Sequence, residues 1–345
     1  MSIWKYHDRL PAIPESARLT LGEGMTPLVR SRRIGPSVGL SNLYFKVETT
    51  NPTGSYKDRF AAMGISHMVA EGKRRCFATS SGNSGSALAA YCAVADIECT
   101  ISIIEKTTAE KLLQMQAYGA TCHRIKGFGI DPDISRDTFE AVMEQGRQPG
   151  ADVQLSLYTY SPIGMAGCET ISFELADKLD GEIDHVFSPG GGGGLTLAIA
   201  RGFGGSGPAV HCVQPEGNDT IAGPLRLGLK EGQNIASSET GIGGLQVPTL
   251  IDGNMTIDAC RASGGTGHLV SDQEVFELQR RLAQEEGIFS EPAGAVALAG
   301  ALRAHEGKEV GKDDVIVCLV TGSGFKDSES VRKFVKQSKR SIPRP

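Results

Sequence analysis

The chain has 345 residues, 40% of them hydrophobic and 22% charged, an ordinary globular usage that excludes a disordered, fibrous or membrane-bundle protein. That length exceeds the ~250–300 residues at which a single core usually stops growing, so two lobes are expected. Lys and Arg number 35 against 40 Asp and Glu, a net charge of −5 with no basic stripe, so nucleic acid is not an expected partner; without a long apolar run or a signal-like N-terminus, a cytoplasmic protein free of membrane is expected.

In chain order, partial alternation over Leu43–Glu48 predicts a strand, broken by Asn51-Pro52-Thr53-Gly54, and a helix follows over Lys57–Glu71. Cys76–Thr79 reads as a strand, Ser80-Ser81-Gly82-Asn83 as a turn, and Ser84–Val94 as a helix of small residues. A strand near Cys99–Ile104 precedes a helix opened by Thr107-Thr108-Ala109-Glu110, which has the spacing of a capping box; Ala120–Ile125 is the next strand. The polar stretch Gly127–Gly150 holds one short helix around Arg136–Glu144. A helix over Gly167–Leu179 then leads to the strand Asp184–Phe187, five glycines and a helix from Leu195. Val210–Gln214 is strand-like and Gly217–Gly267 resists assignment. Ser271-Asp272-Gln273-Glu274 is a second capping box, Pro292 sits in the first turn of another helix, and the strand Val315–Val320 ends at Thr321. Strand and helix alternating in this way predict an α/β fold with mostly parallel, twisted sheets and helices on both faces.

Eight cysteines lie in apolar stretches without C-x-x-C, and the seven histidines form no ligand pattern, so buried thiols and no metal are expected. Glycine is the informative residue, 44 in all and gathered in short clusters at strand-to-helix junctions. Ligands of open α/β sheets bind at such junctions.

Gly190–Gly194 would expose backbone N–H groups at a helix N-terminus, a cradle for a phosphate, with a flexible linker as the bland alternative. No Gly-Lys-Ser/Thr follows, and glycine is absent from 195 and 196, which excludes a Walker A loop and a G-x-G-x-x-G turn. Ser80-Ser81-Gly82-Asn83-Ser84 could receive a smaller anion such as a carboxylate, or simply cap its helix. Lys57 at a helix start is opposed by the dipole, so desolvation would leave a neutral amine able to attack a carbonyl; an exposed lysine beside Asp58 is the alternative. Thr321 places a neutral hydroxyl at the end of the last strand, facing the same cleft or merely bonded within its turn. A phosphate, an aldehyde, a ring atom and an amino-acid carboxylate are together met by pyridoxal 5'-phosphate with an amino acid.

These residues resemble the fold-type-II pyridoxal-phosphate enzymes, in particular the threonine synthase-like branch. The likeness runs through Leu21-Gly22-Glu23-Gly24-Met25-Thr26-Pro27-Leu28, Pro52-Thr53-Gly54-Ser55-Tyr56-Lys57-Asp58-Arg59, the serine turn, the glycine run, Glu291-Pro292-Ala293 and Thr321-Gly322-Ser323-Gly324-Phe325-Lys326-Asp327. It implies that Lys57 forms the Schiff base with the cofactor, Asn83 bonds its phenolic oxygen, Gly190, Gly191, Gly192, Gly193 and Gly194 hold its phosphate, and Thr321 faces the pyridine nitrogen. Ser80, Ser81, Asn83 and Ser84 would receive the substrate carboxylate. It further implies a larger lobe from residues 1–59 and 161–345, a smaller mobile lobe from 60–160, and a homodimer.

One departure matters. Threonine synthases carry Asn-Pro-x-Arg, whose arginine helps hold the substrate phosphate; here the matching stretch is Ser161-Pro162-Ile163-Gly164, with glycine in the arginine's place. Losing a charge-assisted partner disfavours a phosphorylated substrate. The expected activity is therefore a lyase: Lys57 removes the Cα proton of a β-hydroxy or otherwise β-substituted amino acid, the β-substituent leaves, and a 2-oxo acid and ammonia follow. A hydroxyl rather than a carboxylate at Thr321 favours prompt elimination over long-lived carbanion chemistry. The alternatives are a threonine synthase or related replacement enzyme, a racemase, and a non-catalytic cofactor-binding module.

Overall fold

The computed structural model describes residues 2–337 apart from Ser81, Lys106 and Ser206. Its strands are β1 (Leu28–Arg30), β2 (Leu43–Val47), β3 (Arg75–Ser80), β4 (Glu98–Ile103), β5 (Thr121–Arg124), β6 (Ala151–Val153), β7 (His185–Pro189), β8 (Ala209–Pro215), β9 (Gly267–Val270) and β10 (Ile316–Val320). The helices are α1 (Ile34–Val38), α2 (Lys57–Ala70), α3 (Asn83–Ala95), α4 (Ala109–Ala117), α5 (Pro132–Gly146), α6 (Pro162–Lys178), α7 (Gly194–Phe203), α8 (Ala222–Arg226), α9 (Gly253–Ala262), α10 (Asp272–Arg281), α11 (Val296–Glu306) and α12 (Ser328–Gln337). A six-stranded sheet runs β1-β2-β10-β7-β8-β9 and a four-stranded sheet β5-β4-β3-β6. Every pairing between these strands is parallel except β1 with β2. The mostly parallel α/β expectation holds, and no helix among the described residues is long and apolar enough to cross a membrane.

Several elements depart from the expected ones for local reasons. The helix expected from Gly167 begins at Pro162, whose fixed φ and missing N–H suit a first turn. Asp131 accepts from the N–H groups of Asp133 and Ile134 and Pro132 follows it, so α5 starts four residues before Arg136. The capping box expected at Thr107–Glu110 does not form, because Glu110 turns to the Ser328 hydroxyl instead; the box at Ser271–Glu274 forms in full. The unassigned Gly217–Gly267 stretch contains α8 and α9.

Helix α2 is buried on nearly every face and crosses α6 closely. A Cβ on Gly167 would lie 2.2 Å from the Arg59 carbonyl oxygen, so only glycine permits that approach. At the crossing, four fully buried charges neutralise one another. The Arg59 guanidinium donates to Glu48 Oε2 at 2.7 Å and Oε1 at 2.8 Å, and to Glu174 Oε1 at 2.5 Å and Oε2 at 3.0 Å. Lys46 Nζ donates to Glu174 Oε2 at 2.5 Å and to the Thr26 carbonyl at 2.9 Å. Burial alone would raise both carboxyls, but the Arg59 charge and hydrogen bonds outweigh it and hold both below their ordinary 4.5.

Replacing Glu174 by alanine leaves Arg59 and Lys46 buried with one carboxylate between them. A loss of about 3–5 kcal/mol in urea unfolding is expected. Because the folded carboxyls titrate below the unfolded value, the stabilisation is complete above pH 4.5 and is lost as pH falls below it, so a thermal midpoint that is flat from pH 7 to 3 would contradict this account.

Candidate active site

The ends of β3, β7 and β10 and the start of α2 surround a cavity of about 220 Å³. Its position beyond the carboxyl ends of parallel strands is the one expected for a ligand of an α/β sheet. Lys57, Ser80, Asn83, Ser84, Gly191, Gly192, Gly193, Gly194 and Thr321 all line it, although they come from four separate parts of the chain. Ser81 lies outside the described residues.

Lys57 is the first residue of α2, and its half-buried side chain runs beside Tyr56, with Nζ 4.6 Å from the ring centre. Desolvation lowers its pKa from 10.5 to about 8, so a substantial neutral fraction exists near physiological pH. The amine donates to Ser156 Oγ at 2.6 Å, and Ser156 Oγ lies 2.9 Å from Ser84 Oγ. Lys57, Ser156 and Ser84 thus form a continuous chain of exchangeable protons along one wall. The Tyr56 N–H donates to the Thr321 carbonyl at 3.1 Å, which ties the start of α2 to the end of β10.

The glycine run divides in two. Gly190 donates its N–H to the Val213 carbonyl at 2.8 Å and so belongs to the sheet, outside the cavity lining. The N–H groups of Gly191, Gly192, Gly193 and Gly194 have no acceptor among the described residues, Gly194 being the first residue of α7. Gly193 has φ +98°, and a Cβ there would meet Thr256 Oγ1 at 2.4 Å. Free amides at a helix N-terminus make a site for an anion. Asp252 fixes this loop: its N–H donates to the Gly192 carbonyl at 3.2 Å, and its carboxylate accepts from the N–H groups of Tyr158 at 2.7 Å and Thr159 at 3.0 Å.

In the serine turn, Ser80 Oγ accepts from the N–H groups of Gly82 and Gly85, each at 2.9 Å, so only its proton remains to be donated. Gly82 has φ +153°, and a Cβ on it would fall 2.2 Å from the Lys111 stem. Asn83 Nδ2 donates to Glu291 Oε1 at 2.5 Å, whereas its Oδ1 is buried without a partner. Glu291 also pairs with Lys111 at 2.9 Å, both almost wholly buried on the cavity wall.

Four contributors have no role that the sequence alone assigns. Ser156 and Asp252 lie in irregular segments with no motif around them, and Lys111 on an amphipathic helix reads as a solvated charge. Glu291 stood only within a resembling motif. Gly164, in the place of the arginine of the Asn-Pro-x-Arg pattern, faces Phe60: a Cβ would meet that ring at 2.7 Å, so the position carries no cation and has no room for one.

A family model described as pyridoxal-phosphate dependent enzyme matches residues 19–322. The threonine synthase of Methanocaldococcus jannaschii is 31% identical over 341 residues, covering 96% of this chain and 82% of that protein. The threonine synthase of Halalkalibacterium halodurans is 31% identical over 356 residues, covering 99% and 96%. Among solved structures, threonine deaminase isoform 2 from Solanum lycopersicum matches with a TM-score of 0.78 at 22% identity, over 98% of this chain and 93% of that one. Maize serine racemase matches with a TM-score of 0.74 at 23% identity, over 90% and 92%. At these identities the solved structures share the fold.

An aromatic aldehyde with a phosphate tail needs an amine, an anion cradle and a polar group beside its ring, and the cavity fits on each count: Lys57, the unbonded amides of Gly191–Gly194, and the orphaned Asn83 Oδ1. Gly193→Ala forces a side chain into Thr256 at a backbone angle suited to glycine. A loss of about tenfold or more in affinity for pyridoxal phosphate is expected in equilibrium dialysis, with the fold kept by circular dichroism. The cofactor-free protein should condense with pyridoxal phosphate at a rate that rises with pH about a midpoint near 8, where Lys57 loses its proton; a midpoint at the ordinary 10.5 would refute a desolvated amine.

Proposed function

We propose that this chain, which belongs to the pyridoxal-phosphate dependent enzymes, is a lyase that eliminates the β-substituent from a β-hydroxy or otherwise β-substituted amino acid and yields a 2-oxo acid and ammonia. The observation that carries the reading is the charge of the cavity wall. Among the described lining residues the cations are Lys57 and Lys111; the first is the reactive amine and the second is neutralised by Glu291. Gly164 adds none. A phosphate on the substrate would therefore have to draw Lys111 away from Glu291 and leave that buried carboxylate uncompensated, whereas a small hydroxylated side chain meets the serine hydroxyls it needs.

Bound pyridoxal phosphate supplies a carbonyl for the substrate amine and an electron sink for the Cα–H bond. The amides of Gly191, Gly192, Gly193 and Gly194 would hold its phosphate, with the Gly190 amide kept for the sheet. Thr321 would face the ring nitrogen, and Asn83 would bond the phenolic oxygen. Ser80, through its hydroxyl proton, and Asn83 and Ser84, through the turn they open, orient the substrate carboxylate; Ser81 is assigned the same task on sequence grounds alone. The neutral Lys57 amine takes the proton from Cα. Ser156 accepts a proton from Lys57 and passes its own to Ser84, which protonates the departing oxygen so that it leaves as water. Residues 60–160 act as the smaller lobe and close over the cavity to exclude bulk water.

A second reading, replacement chemistry of the threonine synthase kind, is favoured by Lys111. This buried cation beside the serine turn would become available to a phosphate if Glu291 turned away. Assaying serine, threonine, aryl-serines and phosphohomoserine in parallel for ammonia, 2-oxo acid and inorganic phosphate separates the two. Ammonia and 2-oxo acid in equal amounts from a β-hydroxy amino acid are expected, with Lys57→Ala losing at least about a thousandfold in turnover. Phosphate and threonine formed from phosphohomoserine, with no ammonia from the others, would replace the lyase reading with the second.

A further inference from the structure

Away from the cavity, three buried thiols from three separate elements meet at one point. Cys76 near the start of β3 and Cys99 near the start of β4 are direct partners in the parallel register, and Cys92 in the last turns of α3 lies over them. The three sulfur atoms all lie within 4.8 Å of one another, and the residues are 0, 8 and 1% exposed for Cys76, Cys99 and Cys92. Around them are the apolar side chains of the smaller sheet's core, so sulfur is the ligand chemistry offered here. We infer that Cys76, Cys92 and Cys99 form a three-sulfur binding site for a soft, filled-shell metal cation of the Zn(II), Cd(II) or Cu(I) type.

Ligand softness and dimensions both argue for it. Thiolates select such ions over magnesium, calcium or manganese, which want oxygen. Sulfurs bonded to one ion at about 2.3 Å in a tetrahedral or trigonal arrangement stand about 3.7–4 Å apart, so the cluster closes on an ion with shifts of an ångström or less. Each sulfur that bonds the metal gives up its proton to solvent, so affinity weakens as pH is lowered. On the edge strand β5 the half-buried Cys122 pairs with Ile101, two residues beyond Cys99 on the neighbouring strand. No spacing in the sequence shows this site, because its ligands are gathered by strand register and helix packing.

A bound ion would tie β3, β4 and α3 together at the end opposite the turn that carries Ser80 and Asn83. Its effect is therefore structural, on the unit that presents that turn, and not chemical.

The test titrates the reduced holoenzyme with Cd(II) and follows the sulfur-to-cadmium charge-transfer absorption. One equivalent per chain is expected, with the band lost in Cys76→Ala, Cys92→Ala and Cys99→Ala and kept in Cys260→Ala, which removes a buried thiol elsewhere. Should the core variants fail to fold, zinc X-ray absorption on the wild-type chain decides the matter, a first shell of three sulfurs at about 2.3 Å being expected. A shell of nitrogen and oxygen, an absent band, or a band that survives removal of these thiols would overturn the proposal.

Discussion

The Arg59 guanidinium is the fixed point on which the site is built. Four of its hydrogen bonds run to two carboxylates on different elements, Glu48 just after β2 and Glu174 on α6, and all three side chains are fully buried. A guanidinium satisfied in this way allows only one placement of the first turn of α2 against the larger sheet and α6. Lys57 lies two residues earlier, so the geometry that satisfies Arg59 also points the amine into the cavity. Gly167 makes the arrangement possible by letting the backbones approach, and Lys46 balances the second carboxylate.

The cavity itself is organised by contrasts of charge. Its floor offers unbonded backbone amides at the start of α7, which attract an anion without bringing a titratable group near the amine. One wall is a run of neutral hydroxyls ending at Lys57; the other is a Lys111–Glu291 pair that offsets itself and holds Asn83. Burial is what lowers the Lys57 pKa, while Cys168 and Asp252 pull the other way. Gly164 contributes by what it lacks: the Phe60 ring fills the space a longer side chain would occupy.

Local signals in the sequence were read well where they depended on neighbours in the chain. The Ser271–Glu274 box, the strand ending at Thr321 and the break around Asn51–Gly54 follow from residues a few positions apart. Errors arose where a distant partner won. Ser328 took Glu110 from its expected cap, and Val213 took the Gly190 amide from the glycine cradle. Nor could periodicity tell that the lysine at 111 lies across Gly82 in a buried pair, since the same pattern describes a lysine in water.

By itself the sequence determined the α/β class, most of the longer strands and helices, and the glycine, lysine and serine turns, because hydrophobic period, caps and glycine clusters act over a handful of residues. Its ordered motifs also carried the family. Only the tertiary structure decided that the Lys57 amine is desolvated, that four of the five glycines keep unbonded amides over the cavity, that Ser156 and Asp252 stand at the candidate site, and that three cysteines share one point. Each of these depends on which surfaces exclude water from which groups, and that is settled when the two sheets and the helices between them pack.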